Sequence, residues 1–354
     1  MPKITPATDD TQPGVSAVVC CHNSERVIAP TLRALASQRI PPGAGFEVIL
    51  VDNACSDGTV QVAASAWGAA PHPLRIVAEP SPGLALARRA GAAAARYAVV
   101  FFVDDDNRPA ADCVERILAL FAALPRVGVI GGYVEPVLES DAPWWFAAFQ
   151  QVYACGPRDR RPGPDPKWLF GAGLAVRTAA ARAALIDGPP LLLCGNSGRR
   201  LLRGEDTELV FRCRLLGWET YYDESIRVGH AVSRERLTWR HVCRTRRQGG
   251  RSHAVLELYL GLLKKGSPPS RLAQARKTLG KWRKILARHP SVLWRFNRAG
   301  DRGSFLFHFW VLGVPSGLWR LRKSYDRDAA AIARAYPPAP GGVRLPDGGY
   351  RNDR

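Results

Sequence analysis

Short apolar runs alternate with longer amphipathic segments along the first third of the chain, and each pattern predicts a different element. The apolar runs, which are typical of buried strands, are Val15–Cys21, Phe46–Val51, Leu74–Ala78 and Ala98–Val103. The segments between them carry apolar residues at helical spacing and are Arg26–Ser37, Thr59–Trp67 and Leu84–Arg96. Strands and helices that alternate at this pace predict a doubly wound, mostly parallel α/β sheet.

Polar residues follow each of these four strands at the point where the strand ends. The clusters are His22-Asn23-Ser24-Glu25, Asp52-Asn53, Glu79-Pro80-Ser81 and Asp104-Asp105-Asp106-Asn107. Ligands of doubly wound sheets bind beyond the carboxyl ends of the strands. The pattern therefore predicts a polar binding site at this edge of the sheet.

The pattern changes along the chain and predicts four regions. These are a disordered, proline-rich N-terminus at 1–14, an α/β domain at 15–233, a basic and partly amphipathic helical extension at 234–335, and a loose Pro/Gly-rich tail at 336–354. Further strands of the domain are predicted at Val127–Val134, Trp168–Arg177, Trp218–Tyr222 and Ser225–Val228. Helices are predicted at Glu205–Leu216, Glu235–Leu263 and Ser270–His289.

The composition suits a folded domain with a large basic surface. Of 354 residues, 46% are hydrophobic and 23% charged, so a sizeable core can be buried and wholesale disorder is excluded. The chain carries 50 Lys and Arg against 31 Asp and Glu, a net charge of +19. The segment Arg234–Arg298 holds 18 of the basic residues and 2 acids, a net of +16, so most of the charge belongs to the extension. An anionic partner is therefore expected.

Three interpretations fit the basic segment Arg234–Arg298: a solvated helical face, a nucleic-acid contact, or attachment to an anionic membrane surface. Within residues 271–289, basic residues alternate with apolar ones such as Leu272 and Leu279, a pattern typical of membrane-surface helices. The sequence has no nucleic-acid-binding signature, which makes nucleic acid the weaker alternative. It also has no signal peptide and no uninterrupted apolar run of about 18 residues. We expect a cytoplasmic protein that is peripheral on the inner face of the plasma membrane.

The eight cysteines predict neither a metal site nor a disulfide framework. None forms a C-x-x-C pair or has zinc-finger spacing. Cys20 and Cys21 are neighbours in an apolar run whose side chains alternate between two faces. We interpret these two cysteines as small buried residues of a reducing compartment.

The sequence Asp104-Asp105-Asp106 at the end of the fourth strand is the strongest candidate for chemistry. Carboxylates two residues apart in an extended segment lie on one side, so Asp104 and Asp106 converge while Asp105 points elsewhere. Two converging carboxylates are typical ligands of Mg²⁺ or Mn²⁺, cations that also bind phosphate oxygens. The structural alternative is an acid-rich turn in which Asp106 or Asn107 caps a helix that begins near Pro109.

A second pair of acids, Glu205 and Asp206, opens the helix predicted to end near Leu216. A carboxylate at such a position is a candidate general base at the edge of a cleft. Acids in the first turn also stabilise a helix through its macrodipole, which is the structural alternative.

Six short motifs stand in one order: C-H-N-S-E, V-D-N-x-C-S-D-G-T, E-x-x-x-G-L-A-x-A-R, F-V-D-D-D-N-x-P, G-A-G-L-A-V-R and G-E-D-T-E-L. Each is weak alone, but their order, between Val15 and His253, resembles that of the inverting family 2 glycosyltransferases of GT-A fold. The stretch E-D-T-E-L…G-W-E-T-Y-Y-D…V-G-H is also similar to the hormogonium polysaccharide biosynthesis glycosyltransferases. The resemblance implies a GT-A fold and metal-dependent, inverting transfer of a sugar to an acceptor hydroxyl, in polysaccharide or glycoconjugate biosynthesis.

The resemblance also implies a role for each matching residue. The residues implied to bind the nucleotide-diphosphate sugar are His22, Asn23, Asp52, Arg88, Asp104 and Asp105. The residues implied to bind a divalent cation, Mn²⁺ or Mg²⁺, are Asp106 and Asp104. His230 is a further candidate ligand, and the alternative is that it is a structural histidine at a strand end. Asp206 matches the catalytic base, which deprotonates the acceptor hydroxyl as it attacks the anomeric carbon. The implied acceptor is a saccharide or a lipid-linked sugar.

The chain departs from the family pattern at two places. His22 stands in the first loop, where many relatives carry a Thr-Tyr-Asn type of sequence, and this change bears on base or sugar preference. The Q-x-x-R-W signature of processive synthases is absent after Asp206, so we expect transfer of one sugar per encounter. In the corresponding stretch, Arg247 and Arg251 are candidates either for a diphosphate or acceptor contact or for a solvated basic face.

Two other functions fit parts of the sequence. A sugar nucleotidyltransferase also combines carboxylates with a doubly wound sheet, but its Gly-rich, basic loop after the first strand is replaced here by His22-Asn23-Ser24-Glu25. A non-catalytic protein that binds nucleic acid or membrane on a GT-A core is disfavoured because Asp104, Asp106 and Asp206 are all present. One fold serves many substrates, so the donor sugar, acceptor and metal stay open.

Overall fold

The structure of the protein is a computed structural model. It describes residues 12–157, 162–166, 168–193, 195–197, 200–288, 314–316, 318, 319, 321 and 323–337. The chain forms two compact units that divide between His241 and Val242, a few residues after the predicted boundary. Of the predicted disordered N-terminus, residues 12–14 form part of the first strand, and residues 1–11 lie outside the described residues, as do residues 338–354 of the predicted tail.

Within the described residues the strands are β1 (Gln12–Cys21), β2 (Gly45–Asp52), β3 (Leu74–Ala78), β4 (Tyr97–Asp104), β5 (Asn107–Pro109), β6 (Val127–Leu138), β7 (Gly163–Pro164), β8 (Leu174–Arg177), β9 (Gly195–Ser197), β10 (Arg200–Leu202) and β11 (Glu219–Val232). The α-helices are α1 (Ile28–Ala36), α2 (Thr59–Trp67), α3 (Leu84–Ala94), α4 (Cys113–Ala123), α5 (Phe146–Phe149), α6 (Thr178–Arg182), α7 (Glu205–Leu215), α8 (Trp239–Lys265), α9 (Arg271–Arg288) and α10 (Tyr325–Ala335). Single turns of 3₁₀-helix lie at Gln150–Tyr153 and Arg234–Arg236, and a π-helical turn at Ala183–Asp187.

One mixed sheet organises the first unit, in the order β3-β2-β1-β4-β8-β6-β11-β5, and β7 pairs with β11. The strands β3, β2, β1 and β4 are parallel, as are β6 and β11. Strand β8 is antiparallel to both of its neighbours, β4 and β6. The predicted α/β class with a doubly wound, mostly parallel sheet is therefore confirmed, with β8 as an antiparallel strand inserted between its two parallel parts.

Helices cover both faces of the sheet, which explains why its strands read as continuous apolar runs. On one face, Val15, Ala17 and Val19 of β1 pack with residues of α1, α2 and α4. On the other face, Val18 packs with residues of α3, α6 and α7. The strands are fixed from both sides, and the loops that follow them carry the candidate site.

Two parts of the sheet differ from the predicted strands. The runs Trp218–Tyr222 and Ser225–Val228 form one strand, β11, whose pairing with β6 shifts register after Asp223. Of the predicted strand Trp168–Arg177, only β8 is a strand. Gly173 precedes it with a φ of +72°, a backbone conformation that breaks the extended run.

The second unit contains α9, α10 and most of α8. Gln274 Nε2 on α9 donates a hydrogen bond of 3.1 Å to the Ala254 carbonyl on α8, and Lys277 Nζ lies 2.8 Å from the Glu257 carboxylate. The Tyr325 hydroxyl on α10 donates to a backbone carbonyl between α8 and α9. The two basic helices predicted for this region agree with α8 and α9 within a few residues. In the part of the chain that the structure describes, no helix has the length and apolar character needed to span a membrane.

The seven cysteines among the described residues are free thiols. Burial raises the pKa of Cys113 and Cys213 to about 12, so both thiols are neutral at pH 7. These two residues therefore act as small core side chains. Of the two cysteines that were interpreted from the sequence, Cys21 is buried and Cys20 is partly buried. Cys194 lies outside the described residues.

Candidate active site

The loops after β1 and β2 lie side by side, because these strands are parallel neighbours in register at their carboxyl ends. His22 Nδ1 is 2.7 Å from the Asn53 carbonyl oxygen, and Asn23 adopts a φ of +55°, which asparagine tolerates better than most residues. The side chains of His22 and Asn23 are both exposed. Asp52 Oδ1 accepts the Cys55 backbone N–H at 2.9 Å. The predicted nucleotide-binding residues of these loops therefore stand together at one edge of the sheet.

Asn53 is a buried residue that ties the end of β2 to the loop after β3. Its Nδ2 donates to the carbonyl oxygens of Glu79 and Ser81 at 3.0 and 2.7 Å. Its Oδ1 accepts the backbone N–H of Gly83 at 2.7 Å. Because Gly83 directly precedes α3, Asn53 sets the start of the helix that carries Arg88.

The three aspartates at the end of β4 have different surroundings. Ser24 Oγ donates to the carboxylate of Asp105, and Thr31 Oγ1 donates to its carbonyl oxygen at 2.7 Å, so Asp105 faces the loop after β1. Burial, and then the charge of Asp106, raises the pKa of Asp105 to about 7. Burial, and then the charge of Asp104, raises the pKa of Asp106 to about 6. Crowded, partly desolvated carboxylates of this kind are stabilised by a cation.

Asn107 begins a strand and does not cap a helix. It pairs with His230 where β5 runs antiparallel to β11, and α4 begins only at Cys113. The structural alternative of a helix cap at Asp106 or Asn107 is therefore wrong. The backbone N–H of Ala231 also donates to the Asp106 carbonyl at 3.0 Å, so β11 is held directly against the aspartate turn.

Arg88 on α3 is a buried cation with two carboxylate neighbours. Its Nη2 lies 3.3 Å from Asp104 Oδ1 and its Nη1 lies 3.6 Å from Glu205 Oε1, and the guanidinium lies over the Phe102 ring. Only 3% of the residue is exposed. Burial alone would lower the pKa of Arg88, but Asp104, Glu205 and Asp206 outweigh it and raise that pKa. The structure thus gives Arg88 two protein partners, and its contact with a nucleotide stays a prediction.

Asp106 has two basic neighbours, one on β11 and one just after it. Its Oδ2 lies 3.6 Å from His230 Nε2 and 3.4 Å from Arg236 Nη1. Both ring nitrogens of His230 are buried and make no hydrogen bond within the described part of the chain. Burial, and then the charge of Arg236, lowers the pKa of His230 to about 4. The imidazole is therefore neutral at pH 7, which is the form that binds metals.

Asp206 lies in the first turn of α7, and two backbone N–H groups hold its carboxylate. Gly171 donates to Oδ2 at 2.9 Å and Thr207 donates to Oδ1 at 2.7 Å. The neighbouring Glu205 is buried against Arg88, and burial raises its pKa to about 7 despite that charge. Asp206 is less buried than Glu205. Of the two acids, it is the more accessible to an acceptor.

A buried ion pair supports α7 one turn further along. Arg212 Nη2 lies 2.9 Å from Glu208 Oε1, and the two side chains are 1% and 0% exposed. The Glu208 carboxylate accepts the backbone N–H groups of Leu192 and Leu193 at 2.9 and 2.8 Å. Arg212 donates to three carbonyl oxygens in the segment 184–190. The pair therefore anchors that segment to the helix whose first turn carries the candidate base.

Sequence reasoning missed three residues that shape the site: Asn53, Gly171 and Arg236. Asn53 and Gly171 stand inside motifs quoted above, so their positions carried a signal. Arg236 is one of 18 basic residues in the segment Arg234–Arg298, and only the fold distinguishes it from the rest.

A cation at this site needs ligands from outside the protein. In the described ranges, no group of three or more His, Cys, Asp or Glu side chains is arranged to hold a metal ion, so Asp104, Asp106 and His230 do not form such a cluster. Asp104 and Asp106 still supply two carboxylates, and His230 supplies unpartnered buried nitrogens. Mg²⁺ that also binds substrate phosphates commonly uses only one or two carboxylates. The donor set therefore fits a cation shared between protein and substrate.

The sequence that carries these loops matches the model of a known family. The family model "Glycosyl transferase family 2" matches residues 16–181, a range that holds the loops after β1, β2 and β4 and the residue Gly171. Over this range, which is just under half of the chain, the predicted resemblance to glycosyl transferase family 2 is confirmed. The protein is accordingly a glycosyltransferase. The similarity to the hormogonium subgroup stays a prediction.

Two relatives of this protein are also named as glycosyltransferases. An uncharacterized glycosyltransferase of Mycobacterium tuberculosis is 28% identical over 204 residues, which cover 58% of this chain and 80% of the relative. Glycosyltransferase AglE of Haloferax volcanii is 30% identical over 125 residues, which cover 35% of this chain and 40% of the relative.

A solved structure shares the fold. The mannosyltransferase PcManGT from Pyrobaculum calidifontis, in complex with GDP-Man and Mn²⁺, is 16% identical with a TM-score of 0.50, over 91% of this chain and 79% of that chain. At this identity the similarity concerns the fold alone. The predicted GT-A fold is confirmed.

Proposed function

We propose that this enzyme transfers one sugar per encounter from a nucleotide-diphosphate sugar to an acceptor hydroxyl, with inversion and with a divalent cation. The observation that carries the proposal is the position of Arg88 between Asp104 and Glu205. The Arg88 guanidinium contacts both the aspartate turn after β4 and the first turn of α7, so the two turns meet at a single edge of the sheet. Direct displacement of the diphosphate by an acceptor hydroxyl needs a diphosphate site and a base that lie close to each other.

The nucleotide-diphosphate sugar is proposed to bind along the loops after β1, β2 and β4. His22 and Asn23 are exposed at the rim, and Asp52 ends β2 beside them. Asp104 faces the site from β4, and Asp105 supports the first loop through Ser24. The GDP-Man bound to PcManGT, which has the same fold, supports a nucleotide sugar as the donor class.

Asp106 and Asp104, with His230 beside them, would hold the cation, for which we propose Mn²⁺ or Mg²⁺. When bound, the cation neutralises negative charge on the leaving diphosphate. The unpartnered nitrogens of His230 and the raised pKa of Asp106 both support a cation in this position.

Asp206 is proposed to take the proton of the acceptor hydroxyl. The hydroxyl oxygen forms a bond to the anomeric carbon, the bond from that carbon to the diphosphate oxygen breaks, and the nucleoside diphosphate leaves. The N–H groups of Gly171 and Thr207 fix the Asp206 carboxylate before the acceptor arrives. One displacement of this kind inverts the configuration of the sugar.

The test is release of nucleoside diphosphate from a panel of UDP-, GDP- and TDP-sugars, with Mn²⁺, Mg²⁺ or EDTA. We expect one donor to be hydrolysed slowly without an acceptor, and EDTA and Asp206→Asn each to abolish release. The matched control is Asp141→Asn, the same change at an exposed aspartate of the same unit, which should leave release unchanged. Absence both of release and of metal-dependent nucleotide binding by calorimetry would overturn the proposal.

The acceptor is proposed to be a saccharide or lipid-linked sugar of polysaccharide or glycoconjugate synthesis, reached from an anionic membrane surface. Helix α9 supports attachment to a membrane surface, because it buries polar side chains and exposes apolar ones. Gln274 and Thr278 are buried, whereas Leu272 and Leu279 are 59% and 61% exposed. Helical periodicity places these two leucines on one face, opposite the buried pair.

Basic side chains share the exposed face of α9. Arg276 and Arg283 each follow a leucine by four residues and are exposed, so apolar and positive groups alternate along one stripe. This combination matches the interface of an anionic bilayer, where each basic residue contributes about 1 kcal/mol. Residues 289–298 of the predicted membrane segment lie outside the described residues.

Cosedimentation with vesicles tests this surface. The wild type should bind phosphatidylglycerol vesicles but not phosphatidylcholine vesicles, and binding should weaken with added salt. The double changes Leu272→Ser with Leu279→Ser, and Arg276→Gln with Arg283→Gln, should each reduce binding severalfold. Arg33→Gln with Arg89→Gln removes the same charge from exposed positions of the first unit. Equal loss in this control would contradict a role for α9.

A further inference from the structure

Arg236 occupies the side of Asp106 that a cation would need. Its Nη1 lies 3.4 Å from Asp106 Oδ2, the same oxygen that lies 3.6 Å from His230 Nε2. A guanidinium and a divalent cation on one carboxylate oxygen repel each other strongly at such distances. Binding of a cation to Oδ2 of Asp106 is therefore weakened for as long as the guanidinium stays in place.

The backbone of Arg236 is anchored, whereas its side chain is partly exposed to solvent. The residue ends the 3₁₀ turn Arg234–Arg236, and its carbonyl oxygen accepts the Tyr153 hydroxyl at 3.0 Å. Tyr153 is buried and stacks on His241 with a centroid distance of 5.3 Å. The Arg236 side chain is 30% exposed. It can thus change rotamer without any change in the turn that carries it.

We propose that Arg236 is an exchangeable counter-cation: it pairs with Asp106 in the donor-free enzyme and moves to the diphosphate when donor and metal bind. The planar guanidinium matches phosphate oxygens well, and the diphosphate carries enough negative charge for both cations. Metal alone is therefore penalised, and metal with a nucleoside diphosphate is not. By linkage, Arg236 is a source of coupling between the two ligands. The inference rests on the proposed function, and it assigns control of metal binding to a residue outside the predicted ligands.

Titration calorimetry with Mn²⁺ tests the proposal without any turnover. The wild type and Arg236→Met are titrated with Mn²⁺ alone, and again in the presence of saturating UDP or GDP. We expect Arg236→Met to bind Mn²⁺ alone about tenfold more tightly than the wild type, within the usual range of coupling factors. The factor by which the nucleoside diphosphate improves Mn²⁺ affinity should fall by a similar amount.

Arg234→Met is the matched control, because Arg234 belongs to the same turn and is exposed. It removes the same charge and should leave Mn²⁺ binding unchanged. Equal titrations of the wild type and Arg236→Met, including no measurable binding in either, would overturn the inference. Weaker binding in Arg236→Met, or equal tightening in both variants, would also overturn it. The titration with Mn²⁺ alone does not involve donor turnover, so a failure of the proposed function is seen separately in the nucleotide-release assay.

Discussion

Arg88 Nη1 on α3 lies 3.6 Å from Glu205 Oε1 in the first turn of α7. The two residues are far apart in sequence, and both are buried. Because the same guanidinium also contacts Asp104, the separation between the aspartate turn and the candidate base Asp206 depends on this contact. The charge network at the sheet edge therefore joins the elements that carry the proposed site.

Arg88→Met should destabilise the first unit by about 3 kcal/mol, because it leaves Glu205 and Asp104 buried without their cation. The free energy of unfolding in urea measures this change. Arg89→Met is the control, since Arg89 is the exposed neighbour on the same helix and its loss should change stability by less than about 0.5 kcal/mol. Equal stability of the two variants would show that the Arg88 contacts contribute nothing.

Gly171→Ala should slow donor turnover about 10- to 100-fold, because a misplaced catalytic group is costly to the rate. The added Cβ would lie 2.7 Å from Arg88 Nη2 and 3.0 Å from Asp206 Cβ, so one of these side chains must shift. Steady-state release of nucleoside diphosphate measures the effect. Gly280→Ala on α9 meets nothing within 4 Å and should leave turnover unchanged. Full activity of Gly171→Ala would show that the site tolerates a shift of Asp206.

Glu208→Gln should destabilise the first unit by about 3 to 5 kcal/mol, as expected when one partner of a buried ion pair is removed. The loss includes the support of Leu192 and Leu193, whose N–H groups donate to this carboxylate. Glu219→Gln breaks a largely exposed pair with Arg126 and should cost less than about 1 kcal/mol. Urea unfolding distinguishes the two, and a similar small effect for both would contradict the structural role of the Glu208–Arg212 pair.

The parallel strands β1, β2 and β4 could be predicted because each is buried on both faces over most of its length, which forces a continuous apolar run. Strand β5 could not be predicted, since its three residues carry no apolar pattern and its existence depends on pairing with β11. The antiparallel direction of β8 likewise depends on its two neighbours. Local sequence therefore predicts the strands that carry a buried apolar run. The existence of β5 and the direction of β8 depend on pairing with strands that are distant in sequence.

The same division holds for the candidate site. Alternation along β4 predicted that Asp105 would face away from its neighbours, and the structure places it on Ser24. Arg236 could not be selected, because its partner Asp106 lies 130 residues earlier and the surrounding segment holds 18 basic residues. The residue types at the ends of strands can be read from the sequence. A charge pair between residues that are distant in sequence can be recognised only when the order of the strands in the sheet is known.

Acid should weaken the helical unit through Glu257. Burial alone would raise the pKa of Glu257, but hydrogen bonds and charge from His253 and Lys277 outweigh it and lower this pKa from 4.5 to about 2. A carboxyl group with a depressed folded-state pKa contributes stability that is present above its unfolded pKa and is lost as the pH falls through its folded pKa. The contribution should therefore be complete above about pH 5 and disappear towards pH 2, with a size of about 2 to 3 kcal/mol.

Hydrogen exchange of the α8 and α9 amides between pH 5 and pH 2.5, corrected for intrinsic rates, measures this loss within the helical unit itself. Glu257→Gln should lower the protection at pH 5 and remove most of its dependence on pH, because the group that titrates is absent. Asp326→Asn, on the first turn of α10, provides a carboxyl control in the same unit and should keep the pH dependence of the wild type. An unchanged pH profile in Glu257→Gln would show that the contacts with His253 and Lys277 do not stabilise the unit.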